Sequence, residues 1–180
     1  MIYVMLAEGF EEIEALAFVD ILRRANIDVQ TVAANNSETV TGSHGITVVA
    51  DIKIENICEM GDGIVLPGGL PGTYNLKDND QVVKMLNDHN KAGKYIAAIC
   101  AAPSILGKYG FLENKKATCY PSFEEELGGA IYSSDRVVTD GNIITSRGAG
   151  TAHDFAFKFV ELLKGESEAN KIRSSMLYDI

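Results

Sequence analysis

Basic residues are scarce in this chain. Sixteen Lys and Arg face 25 Asp and Glu, for a net charge of -9 and a pI of about 4.8. Neither a nucleic-acid footprint nor a polybasic membrane patch can be built from that balance. Cysteine is also sparse: three residues, an odd number, make no disulfide framework and fit a reducing compartment. No apolar run approaches the length of a membrane span. The opening Met1-Ile2-Tyr3-Val4-Met5-Leu6-Ala7-Glu8 lacks a basic n-region and meets an acid too early for a signal peptide. The expectation is a cytoplasmic protein. Only His44, His89 and His153 supply imidazole, and no His, Cys, Asp and Glu cluster has metal-ligand spacing. No metal and no cofactor is expected.

What is present is a core. Apolar residues make up 46% of 180, enough for one domain over residues 1–180 without covalent staples. Strands are expected at 2–6, 28–33, 45–50, 63–66, 95–99 and 116–119. A hairpin is expected over 136–145 with Asp140-Gly141 at its turn. Helices are expected at 11–25, stopping at Asn26, at 80–91 after the Asp78-Asn79-Asp80 cluster, at 101–109, at 151–164 and at 167–176. Residues 35–43 read as polar turn. Strands alternate with helices, which predicts an α/β fold with a mostly parallel sheet covered on both faces. Sites in such sheets form at the carboxyl ends of strands.

Four of those ends carry unusual residues. Cys100 follows the run Lys94-Tyr95-Ile96-Ala97-Ala98-Ile99 and precedes a helical segment. Strand, Cys, helix puts the sulfur at a tight turn near helix amides, where a thiolate is favoured and the pKa should fall below the free value. The alternative is an inert cysteine ending a core strand. In Glu8-Gly9-Phe10-Glu11-Glu12-Ile13-Glu14, a helix N-terminus accounts for Glu11 and Glu12. Glu14 falls near the apolar face, where a desolvated carboxyl would stay protonated near neutral pH and could move protons. The Gly68-Gly69 turn can aim amides at an oxyanion, or simply supply positive φ; with no Gly-Lys-Ser/Thr ending it is not a P-loop. Arg147, before Gly148-Ala149-Gly150, either pairs a carboxylate or favours an anionic substrate. Cys119 ends a strand that should reach the same cleft. It is either a resolving thiol for oxidised Cys100 or packing.

Together these pieces resemble the ThiJ/PfpI superfamily, in the branch of the Parkinson-linked deglycase (DJ-one). The matching segments are 7–14, 65–69, 97–103 and 145–151, in family order. The resemblance implies a flavodoxin-like three-layer sandwich, of the class I glutamine amidotransferase-like kind. It implies Cys100 as elbow nucleophile, Glu14 as its hydrogen-bonding acid, and the amides of Gly69 and Ala101 as oxyanion hole. Gly68, His44, Cys119, Tyr120 and Arg147 fall to substrate contact or support. The implied activity is a glutathione-independent glyoxalase or deglycase on methylglyoxal-type aldehydes, in a homodimer. A redox sensor or chaperone that oxidises Cys100 is the alternative, and a thiazole-phosphate role is an inherited family label with no phosphate site behind it. Ala101 stands where family proteases carry His, which argues against a peptidase. Tyr120 replaces a His of some relatives, so proton transfer falls on Glu14. His44 stands where a more basic residue reaches over the dimer interface.

Overall fold

The computed structural model describes residues 1–35 and 37–178. Strand β1 (Ile2–Leu6) leads to helix α1 (Glu12–Arg24) and β2 (Val29–Ala33). A hairpin of β3 (Thr39–Thr41) and β4 (Thr47–Val49) follows, then β5 (Ile52–Lys53), β6 (Gly63–Leu66), α2 (Gly72–Lys77), α3 (Asp80–Lys91), β7 (Tyr95–Ile99) and α4 (Pro103–Lys108). The chain ends with β8 (Lys116–Ala117), β9 (Ile131–Tyr132), β10 (Val137–Asp140), β11 (Ile143–Ser146), α5 (Ala152–Lys164) and α6 (Glu166–Ser175).

Seven strands form the central sheet in the order β10-β11-β7-β6-β1-β2-β5. All neighbours are parallel except β10 against β11. The four strands that carry the unusual loops, β11, β7, β6 and β1, are therefore adjacent, and their carboxyl ends share one edge. Strand alternation splits the core in two. Ile2, Val4, Leu6, Ala97 and Ile99 face α1 and α5, where Phe18 packs on Phe155 and Phe159 with ring centres 5.2 and 5.3 Å apart. Tyr3, Met5, Ile96 and Ala98 face the other layer, with Leu86, Ile105 and Leu106.

Local chemistry sets the helix ends. The Glu11 carboxylate accepts the Glu14 amide at 2.8 Å and caps α1. Asn26, at φ 50°, ends it as expected. Asn79 caps α3 through the amides of Gln81 and Val82.

Some expectations need correction. The strand expected at 116–119 stops at Ala117 and lies in a separate two-stranded sheet with β9. The Lys116 and Thr118 amides donate to the side chains of Asp140 and Thr145, both at 2.9 Å, so the segment docks on the main sheet without joining its ladder. Residues 39–41 are a strand, paired with β4, where polar turn was expected; Asn36 of that stretch lies outside the described residues. The β10–β11 turn centres on Gly141-Asn142, one residue later than read, because Asp140 pairs with Ile143. The short α2 and β5 have too few residues to show a period.

Gly107 gives a test of packing against propensity. A Cβ there would collide with backbone of Glu126 and Leu127. Alanine gains about 1 kcal/mol of helix propensity, but backbone cannot move aside as a side chain would, and overpacking costs about 1–3 kcal/mol. Gly107→Ala should lower stability by up to about 2 kcal/mol in urea unfolding.

Candidate active site

Cys100 sits directly after β7 with φ 66°, a left-handed conformation that costs a residue with a Cβ. Its neighbours over-determine it. The Cys100 amide donates to the Ser146 carbonyl at 3.0 Å, and its carbonyl accepts from the Tyr120 amide at 2.8 Å. The turn carries the side chain to the sheet edge, where the sulfur is half-buried. Amides of Ala101 and Gly69 hydrogen-bond toward it.

The Gly68-Gly69 loop fits against this elbow only because it lacks side chains. A Cβ on Gly68 would lie 2.6 Å from the Cys100 Cβ and 2.7 Å from Glu14 Oε2. That gap is filled by a hydrogen bond, Gly68 N–H to Glu14 Oε2 at 2.8 Å. The Glu11 amide in turn donates to the Gly68 carbonyl at 2.9 Å, which ties the start of α1 to the loop.

Glu14 is 1% exposed. Its Oε1 has no nitrogen or oxygen partner, and Cys100 is the group that hydrogen-bonds its carboxyl. Burial, aided by the Glu11 charge, pushes the Glu14 carboxyl up to about 7, against the Gly68 amide and Cys100. Burial, then the charge and hydrogen bond of Glu14, push the Cys100 thiol up to about 12, against the amides of Ala101 and Gly69. The expectation of a depressed thiol pKa is thereby overturned. The helix after the elbow has only six residues, and desolvation outweighs the two amides. The pair releases one proton near neutral pH and holds the second into alkali. A thiolate forms here by passing its proton to Glu14.

The remaining candidates divide. Gly148 closes the site: a Cβ there would be 3.3 Å from the Tyr120 ring and 3.9 Å from Cys100 Sγ. Beside it opens a cavity of about 400 Å³ bordered by Tyr120, Pro121, Arg136, Arg147 and Gly148. Arg136 is paired with Asp154 at 2.6 Å. Arg147 makes no ion pair among the described residues. Its guanidinium reaches only the Ser134 carbonyl, at 3.4 Å, so the carboxylate-pairing expectation fails. Cys119 is fully buried in the opposite core layer from the one Cys100 packs against. Burial, with Glu124 adding, pushes its thiol up to about 11. Its burial in that layer supports the packing alternative. Among the described residues, the groups that chiefly act on Cys100 are Glu14 and the Ala101 and Gly69 amides, with no histidine in that set.

His44 is exposed and held by Glu12, whose role the sequence did not reveal. The Glu12 carboxylate is buried and accepts the His44 amide at 2.7 Å and His44 Nδ1 at 2.8 Å. Burial would raise its pKa, but those bonds and the Ile46 amide hold it at about 2, and Glu12 in turn raises the pKa of His44. In sequence Glu12 looked like one more acid at a helix start. Glu11, Glu12 and His44 bring one ligand atom each within 4.8 Å, a grouping that sequence spacing could not show.

The comparisons with known proteins agree with this geometry. Residues 1–162 match the model of the DJ-1/PfpI family. The chain belongs to that family. It is 39% identical over 177 residues to protein dj-1beta of Drosophila melanogaster, covering 97% of this chain and 95% of that protein. It is 34% identical over 168 residues to the glutathione-independent glyoxalase DJR-1.2 of Caenorhabditis elegans, covering 92% and 89%. Against DJ-1 homolog B of Arabidopsis thaliana the identity is 40% over 98% of this chain, but the chain spans less than half of that protein, 41%. Among solved structures, oxidised Toxoplasma gondii DJ-1 superposes with a TM-score of 0.96 at 37% identity, over 99% of this chain and 98% of the other. Drosophila melanogaster DJ-1beta superposes with 0.95 at 38%, over the same shares. The flavodoxin-like sandwich expected of a DJ-1/PfpI chain is the fold described above.

Glu14→Gln tests the buried pair. Glu14 ionises at about 7 in the folded chain against 4.5 when free, so the folded state holds the extra proton between those values. Stability contributed by Glu14 is then lost as pH rises from 4.5 through 7. Gln keeps an acceptor for the Gly68 amide without the charge. The variant should be more stable than wild type by up to about 3 kcal/mol at pH 8 and by little at pH 4.5. Denaturant unfolding at both pH values reads this, and alkylation of Cys100 should shift to lower pH.

Proposed function

We propose that the chain is a cysteine-dependent, glutathione-independent glyoxalase or deglycase-type enzyme acting on methylglyoxal-type aldehydes. The observation that carries this reading is a buried carboxyl, Glu14, hydrogen-bonded to a thiol at a strained elbow between two amides. The C. elegans relative is named a glyoxalase of this kind. In the proposed sequence, Cys100 Sγ attacks the aldehyde carbon as its proton passes to Glu14. The resulting oxygen is held by the Gly69 and Ala101 amides and takes that proton from Glu14, which gives a hemithioacetal and leaves Glu14 ionised. Glu14 then removes the proton from the former aldehyde carbon and delivers one to the neighbouring carbon, through an enediol, giving a thioester. Water cleaves the thioester to lactate and returns the thiol. Methylglyoxal and water account for every atom of the product, so no cofactor is needed. In this reading Arg147 and Tyr120, which line the cavity beside Gly148, contact the substrate, and three cysteines without disulfides suit the cytoplasm. Among the described residues, no helix is long and apolar enough to cross a membrane.

Lactate release from methylglyoxal by the reduced protein tests the reading. Cys100→Ser should abolish it, and Glu14→Gln should lower turnover by roughly 10²-fold or more. Wild-type rates in either variant would remove that residue from the mechanism. Redox sensing is supported by one further observation. The unpartnered Glu14 Oε1, when protonated, can donate to an oxygen on the sulfur, and a relative has been solved in an oxidised state. Peroxide treatment should then add two oxygen atoms at Cys100, read by peptide mass mapping, and this addition should be absent in Cys100→Ser.

We also propose a homodimer through the α1 start and the β3–β4 turn. Ile13 and Ile46 are 53% and 54% exposed and line one cavity with Glu11, Glu12 and His44. Asp20 and Arg24 pair within α1 at 2.6 Å and need no partner. Light scattering at micromolar concentration should give twice the chain mass, and Ile13→Glu should halve it.

A further inference from the structure

The sequence features that the proposed reaction leaves unused meet at one place far from its chemistry. Cys58 is an exposed thiol, bonded only to the Asn56 carbonyl at 3.4 Å. His89 is a histidine 1% exposed. Both line a cavity of about 170 Å³, together with Met60 and Met85. Two short patterns supply the four side chains: Cys58-Glu59-Met60 on the loop before β6, and Met85 with His89 one turn apart on α3. Positions i and i+4 share a helix face.

The state of His89 is fixed by its partner. Nδ1 bonds the Met85 carbonyl at 2.8 Å. A carbonyl only accepts, so Nδ1 carries the hydrogen and the lone pair belongs to Nε2. That Nε2 is buried and has no hydrogen-bond partner among the described residues. An imidazole whose Nδ1 is anchored on a backbone carbonyl presents its Nε2 as metal-ligating histidines do.

The donor set decides which metal. Among the described residues, the one group of three His, Cys, Asp or Glu side chains within metal-binding reach is Glu11, Glu12 and His44, not this cavity. Glu59 and Asp88 also line the cavity, but Asp88 is paired with Lys84 at 2.6 Å, and no three such side chains here converge closely enough for a hard or borderline dication. What the cavity adds is two thioethers, and thiolate with thioether selects soft Cu(I). Both methionines have unbranched, adaptable chains that can close on an ion.

We propose that Cys58, Met60, Met85 and His89 form a binding site for a soft monovalent metal ion, Cu(I), separate from the Cys100 site. Binding replaces the Cys58 thiol proton with the metal and releases that proton; no redox step is involved. The inference does not rest on the glyoxalase reading.

The test uses the full chain carrying Cys100→Ser, so that the elbow sulfur cannot contribute. Cu(I) is titrated under reducing, anaerobic conditions against a competing chelator. One tightly held equivalent is expected. Met60→Leu and Cys58→Ser, both at exposed positions, should each weaken it by at least 10-fold while circular dichroism stays unchanged. With Ag(I) as a redox-silent probe, the His89 Nε2 resonance in ¹⁵N NMR should move on binding. Absence of a tight equivalent would overturn the proposal. So would binding indifferent to Met60→Leu, which marks a lone thiol, and so would an unmoved His89 Nε2. Lactate release by the Cys58→Ser chain with Cys100 intact should equal that of wild type, whether or not the metal proposal holds.

Discussion

Desolvation of Glu14 is the constraint around which the site is arranged. A carboxyl 1% exposed and with one oxygen unpartnered cannot hold a full charge at low cost. It therefore keeps its own proton to higher pH and, once ionised, accepts the thiol hydrogen of its neighbour Cys100. Everything packed about the pair serves to keep water out and the two groups together. Gly68 is bare so that its amide can reach Oε2. Glu11 caps the helix that carries Glu14 and is tied through its own amide to the Gly68 carbonyl. Cys100 holds a strained backbone conformation because β11 and the 120 loop bond it on both sides. Strain and a buried acid are costs that a purely structural turn would not retain.

That arrangement changes how reactivity is understood. An exposed thiol lowers its pKa by attracting positive charge. Here burial and a neighbouring acid raise the thiol to about 12 and the acid to about 7. Reactivity then depends on proton exchange inside the pair, in a pocket where two amides wait for negative charge on sulfur or on an adjoining oxygen. The same geometry suits attack on a carbonyl carbon and retention of oxygen atoms on an oxidised sulfur. A single pocket supports both readings because each develops anionic charge at the same spot.

Beyond the pocket, charge and shape are divided among regions. Glu12 locks the turn at His44 and so shapes the face proposed for the dimer. Arg147, without a carboxylate partner among the described residues, leaves a cation beside the cavity next to Cys100. The Cys58 and His89 cavity lies under α3, among side chains the elbow does not use. These regions belong to different elements, so changes in one can be made with little effect on another.

The sequence by itself determined the strand-helix alternation, the elbow at Cys100 and the caps at Asn26 and Asn79, because each rests on local spacing or on backbone preferences of single residues. Segment 97–103 announces a tight turn through its small residues, and Glu14 stands out by its place near an apolar face. Only the tertiary structure decided the rest. Strand order brought four loops to one edge. Contacts across 54 residues in sequence set the Gly68 to Glu14 bond, and desolvation, which depends on what surrounds a group, reversed the expected thiol shift. The face on which Cys119 points, the clasp of His44 by Glu12 and the short sheet of β8 and β9 were likewise undecided until the chain had packed. Periodicity reports which residues are buried; it does not report which layer they are buried in or what they meet there.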